Sequence, residues 1–110
     1  MIVDLNHSDF EKEIINSEKP AIVKFYSLWN SASRNFSEMF SEMSLEYEGK
    51  IKFAESNIDG DPSIAQNLGI SKIPSIAIFF AGKELKQMLN PSKALLRVEL
   101  DSALRKSRKI

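Results

Sequence analysis

Pro20-Ala21-Ile22-Val23-Lys24-Phe25-Tyr26-Ser27-Leu28-Trp29 decides the architecture. Residues 21–26 are nearly all apolar and β-prone, the pattern of a strand covered on both faces, and Pro20 marks the break before it. Downstream, Phe36, Met39, Phe40, Met43 and Tyr47 recur at helical spacing within 31–48, with Gly49 placed to end the helix. Ile51, Phe53 and Glu55 then alternate with Lys52 and Ala54 as a second long strand. Asp61-Pro62 reads as an N-cap and first helical residue of a short helix ending near Leu68, before Gly69. Ser75–Phe80 is another buried strand, and Ala81-Gly82-Lys83 turns it into a hairpin partner at Glu84–Met88. Ser92 caps a last helix bearing Leu96, Leu100 and Leu104. Upstream, Ile2–Leu5 is a short edge strand, and Ser8 with Glu11 reads as a capping box for a helix carrying Phe10, Ile14 and Ile15. The order is βαβαβαββα, an α/β chain with parallel strands joined by right-handed crossovers and a final antiparallel hairpin.

The chain's 110 residues make one domain, 1–110, with 43% hydrophobic residues and seven Phe to fill its core. Residues 105–110 read as a basic tail that complements a helix C-terminus and then frays. There is no cysteine, which excludes disulfides, a thiol nucleophile, a zinc–thiolate site and an iron–sulfur cluster. With His7 the only histidine, no metal and no cofactor is expected. Charge balances overall but not along the chain: residues 1–61 carry 12 acidic and 6 basic side chains, residues 62–110 carry 3 and 9. Without a basic excess, nucleic acid is not an expected partner. No apolar run approaches a membrane span, and the start Met1-Ile2-Val3-Asp4 lacks signal-peptide features, so a soluble, cytoplasmic monomer is expected. Glu38, Glu42 and Glu46 lie four apart on one helix face, either as a docking stripe or as a solvated surface.

Residues 20–29, Tyr47-Glu48-Gly49-Lys50-Ile51, Asn57-Ile58-Asp59 with Pro62, Gly69-Ile70 through Ile73-Pro74, Gly82-Lys83-Glu84 and Ser92-Lys93 are similar, in order and spacing, to successive segments of the thioredoxin family. The resemblance covers nearly the whole chain and implies the thioredoxin fold, a central mixed sheet flanked by helices, with a cis Ile73–Pro74 bond. It also implies disulfide exchange, but the family's W-C-G-P-C-K is here Trp29-Asn30-Ser31-Ala32-Ser33-Arg34. Exchange needs a thiolate to attack and a thiol to resolve the mixed disulfide, and Asn30 and Ser33 supply neither. No catalytic residue is therefore expected among Asn30, Ser31, Ala32 and Ser33. Ser31 or Ser33 as a hydrolase nucleophile would need a base and an oxyanion hole that the sequence does not suggest.

Two further departures shape the expected site. The family keeps a buried Asp below its redox pair and a Lys on the adjacent strand; here Lys24 and Glu55 hold those positions with the charges exchanged. Lys24 interrupts an apolar strand and Glu55 shares a face with Ile51 and Phe53. An unpaired buried ammonium costs several kcal/mol, so a buried ion pair between them is expected. The glycines that flatten the family's substrate surface correspond to Ser31, Lys72 and Leu89. Trp29, Asn30, Ser31, Ile73, Pro74 and Leu89 then form a reshaped surface for a protein or extended peptide segment, unless Trp29 and Leu89 simply pack on each other. The resulting expectation is a redox-inactive, thioredoxin-like binding module. The alternatives are a disulfide oxidoreductase whose cysteines were engineered away, and a structural subunit of a larger assembly.

Overall fold

A computed structural model describes residues 1–109. The elements are β1 (Ile2–Asp4), α1 (His7–Phe10) continuing as one π-helical turn over Glu11–Ile15, β2 (Ala21–Tyr26), α2 (Ser31–Glu46), β3 (Lys52–Asn57), α3 (Ser63–Asn67), β4 (Ser75–Phe80), β5 (Lys83–Leu89) and α4 (Lys93–Arg108). The five strands form one sheet in the order β1-β3-β2-β4-β5. β1, β3 and β2 run parallel, whereas β4 is antiparallel to β2 and β5 to β4. This is the α/β order read from the sequence.

The uninterrupted apolar run of β2 puts it at the centre, where alternate side chains feed two cores. Ile22 joins Phe36, Phe40, Met43, Phe53 and Leu96 beneath α2 and α4. Val23 and Phe25 join Ile14, Ala54, Ile64 and Phe79 beneath α1 and α3. The Phe40 and Phe53 rings meet with centroids 5.0 Å apart, which locks α2 to β3.

The helix ends differ from the sequence expectation in instructive ways. The capping box of Ser8 and Glu11 does not form. Asn6 is the N-cap of α1, its amide oxygen accepting from the Ser8 N–H at 2.9 Å and the Ser8 hydroxyl at 2.5 Å. The next free donor, the His7 N–H, goes to Asp61 Oδ2 at 2.8 Å, a partner 54 residues away. Asp61 also accepts from the Ser63 N–H and hydroxyl, so α3 starts at Ser63 with Pro62 as its cap. Helix α2 stops at Glu46, and Gly49 lies in the following turn with φ +80°. Helix α4 continues through Arg108, so Arg105, Lys106 and Arg108 form its last turn instead of a frayed tail, as suits the negative end of a helix. Ile110 lies outside the described residues.

The glutamate stripe of α2 is largely spoken for. Glu42 meets Lys93 at 3.0 Å, and Glu46 meets Arg97 at 3.0 Å, so two of its three carboxylates clamp α2 to α4. Among the described residues no helix is long and apolar enough to cross a membrane.

Candidate functional site

The site lies at the C-terminal end of β2, where residues 27–30 carry the chain into α2. Asn30 has extended backbone angles and serves as the N-cap of α2: its Oδ1 accepts from the Ser33 N–H at 2.8 Å. Ser33 is 1% exposed, and its hydroxyl oxygen accepts from the Ser27 N–H at 3.4 Å. Ser27 in turn donates its hydroxyl to Asp59 Oδ2 at 2.5 Å and accepts from the Trp29 N–H at 3.3 Å. Arg34 reaches back from the first turn of α2 to donate to the Leu28 carbonyl at 2.9 Å. The two positions that match the family's redox pair are thus joined by a capping hydrogen bond. A substrate cannot reach Ser33 as a nucleophile, and the His7 ring at the start of α1 is taken by Asp61, its Nδ1 3.0 Å from that carboxylate.

Below this turn the polar chain continues inward. The Ser37 hydroxyl donates to the Ser33 carbonyl at 2.8 Å and accepts from Lys24 Nζ at 2.7 Å. Lys24 lies directly opposite Glu55 in the parallel β2–β3 register, and its ammonium is 3.1 Å from Glu55 Oε1. The same ammonium sits 4.5 Å from the Tyr26 ring centroid and 5.3 Å from that of Phe40, so aromatic faces supply what one carboxylate does not. The pair is lopsided, which corrects the expectation of a jointly buried pair: Lys24 is 3% exposed but Glu55 25%. The outer neighbour β1 ends level with Glu55, at Asp4, and leaves that flank open to water. Burial, followed by the Glu55 carboxylate and Asp4, pushes the Tyr26 phenol above its usual range.

Above the turn the side chains are unpartnered. Trp29 is 89% exposed, which rules out the mutual packing of Trp29 and Leu89. Leu28, Ser31 and Leu89 are exposed too, Asn30 and Ile73 are half-buried, and Pro74 is buried. The Ile73–Pro74 bond is cis, and the Pro74 carbonyl accepts from the Asn90 N–H at 2.7 Å. Asn90 has φ +43°, a left-handed conformation that Asn adopts more readily than most residues. Between this loop and β5 lies a hollow of about 240 Å³ whose walls include Ile70, Lys72, Ser75, Met88 and Leu89.

The residues expected at the site therefore fall into an inner group, Asn30 and Ser33 above Lys24 and Glu55, and an outer group, Trp29, Ser31, Ile73, Pro74 and Leu89. Sequence reading missed Ser27, Ser37 and Asp59, which wire the inner group together. Only the four-residue spacing of Ser33 and Ser37 hinted at any of them. Among the described residues no three His, Asp or Glu side chains converge as a metal site. A larger cavity, about 470 Å³, opens at the opposite end of the sheet against Lys12, Lys19, Glu48 and Phe53, and shares none of these residues.

An α/β protein with a mixed five-stranded sheet, and a capped helix start at the end of its central strand, is the class so defined. The thioredoxin family model matches residues 1–102, and the chain belongs to the thioredoxin family. It is 30% identical over 102 residues to a thioredoxin of Synechocystis sp., covering 93% of this chain and 92% of that protein. It is 34% identical over 98 residues to a thioredoxin of Rickettsia felis, covering 87% of this chain and 93% of that one. With thioredoxin 1 of Nostoc sp. it shares 33% identity over 82 residues, 74% of this chain and 77% of that one.

Proposed function

We propose that this thioredoxin-family chain does no disulfide exchange and binds an extended segment of a partner protein on the face formed by Trp29, Ile73 and Leu89, with the buried Pro74 shaping the loop beneath it. The observation that carries the reading is the contrast at α2. Asn30 and Ser33 are occupied with capping, while the adjacent Trp29 leaves 89% of its surface in water. An exposed large aromatic beside an apolar loop suits peptide docking, because a ring desolvated by a partner gives much contact area for little lost freedom. The absence of any cysteine removes the thiolate on which exchange depends. Selection from a displayed library of random extended peptides tests the reading, with Trp29→Ala as the control surface. Peptides retained by the chain and lost by the Trp29→Ala variant support it, together with insulin reduction at buffer background. Reductase turnover by the pure chain, or no peptide that depends on Trp29, overturns it.

A further inference from the structure

The charges on the same face say more about the segment it takes, an inference that rests on the proposed binding function. At this end of the sheet three carboxylates already hold partners within the chain. Asp59 Oδ2 takes the Ser27 hydroxyl at 2.5 Å, and Glu55 holds Lys24 at 3.1 Å. Asp61 spends one oxygen on the His7 N–H and ring and the other on the Ser63 N–H and hydroxyl. Those bonds hold the Asp61 carboxyl well below the usual carboxylate range, with the Ser63 hydroxyl the largest cause.

The cations of the face are not engaged in this way. Ion pairs among the described residues involve Lys24, Lys52, Lys93, Arg97, His7 and the N-terminus, and leave out Arg34 and Lys72. Lys72 is exposed, directly precedes the Ile73–Pro74 bond and borders the hollow beside Leu89. Arg34 is exposed, and its single bond to the Leu28 carbonyl anchors the guanidinium next to the Trp29 backbone. A guanidinium has five N–H donors, so most of its fork remains free for a carboxylate. The sixteen-residue helix α2 also directs its positive end at this rim. Apolar surface and two cations free of ion pairs therefore coincide.

We infer that the segment taken by this face is acidic: an extended stretch with an apolar residue seated on Trp29 and Leu89, and flanking carboxylates that meet Arg34 and Lys72. A basic segment would meet both cations, and of the carboxylates at this end of the sheet Glu55 is taken by Lys24 and Asp61 has both oxygens bonded, which leaves one oxygen of Asp59 and the more distant Asp4 on the β1 edge. Two exposed ion pairs change affinity by roughly two- to thirty-fold, and the gain fades as salt screens it.

The test takes an apolar core recovered in a Trp29-dependent selection and synthesises it with Glu, Ser or Lys flanks. Affinities are read by fluorescence polarisation of the labelled peptides at about 50 mM and about 500 mM salt. The expected result is that the Glu form binds about 5–10-fold tighter than the Ser form at low salt, with the gap closing at high salt. The double variant R34E/K72E, with both changes exposed, is expected to reverse the order in favour of the Lys form. Equal affinities of the three forms, or an order unchanged in R34E/K72E, overturn the acidic preference while leaving the binding reading intact. A selection that returns no Trp29-dependent peptide overturns both.

Discussion

Asn30 and Ser33 turn their polar groups inward, and from there hydrogen bonds run through Ser27 to Asp59 and through Ser37 to Lys24 and Glu55. One residue before Asn30, Trp29 stands in water, and across the cis-proline loop Lys72 and Leu89 do the same. The inner group is thus bonded within the chain, whereas Trp29, Ser31 and Leu89 of the outer group stay open. A buried polar atom without a partner costs a protein its hydration, and among the described residues Ser56 Oγ is the one buried side-chain oxygen left in that state. An exposed side chain carries no such cost, so the rim is free to stay open.

The sharpest way to break this comparison is to open the inner group at its charge pair. Glu55→Leu strands the buried Lys24 ammonium and is expected to lower stability by about 3–5 kcal/mol in urea denaturation. Lys24→Met leaves a carboxylate that already touches water, so a loss of about 1–2 kcal/mol is expected. The double variant should lose much less than the sum, because both charges leave together. Additive losses, or equal losses for the two single changes, would show that the pair is not the asymmetric one described.

The next effect is smaller. Asn30→Ala removes the α2 cap and should destabilise by about 1 kcal/mol, with Asn30→Asp recovering the loss because a carboxylate caps as well and suits the helix dipole. A neutral Asn30→Ala would mean that the turn is held by its neighbours alone.

A third test reads the clasp of Asp61 on α1 and α3 and appears only in acid. The folded-state pKa of Asp61 is depressed, first by the Ser63 hydroxyl and then by the His7 and Ser63 N–H groups. The stabilisation is therefore present above the ordinary carboxylate pKa of about 4 and is lost as pH falls below it. Urea midpoints at neutral pH and near pH 3 should converge for the parent and the Asp61→Asn variant on acidification, and a constant gap would remove the clasp.

The smallest effect belongs to the outer group. Trp29→Ala deletes the largest side chain in the molecule, yet it should shift stability by less than about 0.5 kcal/mol, since little is packed against the ring. A loss of several kcal/mol would place Trp29 in the core and abolish the contrast with Asn30.

The legible part of this molecule was the part set by periodicity. The apolar run 21–26, the helical spacing from Phe36 to Tyr47 and the alternation through Ile51, Phe53 and Glu55 each impose one burial pattern, and the last also aimed Glu55 at Lys24. The caps were harder. Asn6 and Ser8 are both good cap residues two positions apart, and the choice between them is tipped by an Asp61 carboxylate that the sequence places 54 residues away. Ser27 and Asp59 are likewise 32 residues apart, joined only because β2 and β3 end side by side. Small hydroxyls such as Ser37 acquire partners from tertiary geometry and leave no periodic trace. The exposure of Trp29 was also unreadable, because an aromatic after a buried strand can fold back onto the surface as easily as it can point away.

Trp29 is the only tryptophan in the chain, and its exposure has an optical consequence. An indole that is already in water before unfolding changes its surroundings little when the chain unravels, so its emission should stay red throughout denaturation. Loss of structure will instead register in the far-ultraviolet ellipticity of the helices. The same insensitivity makes the ring a selective reporter: a blue shift in its emission, with ellipticity unchanged, signals that something has settled over this face and nothing else.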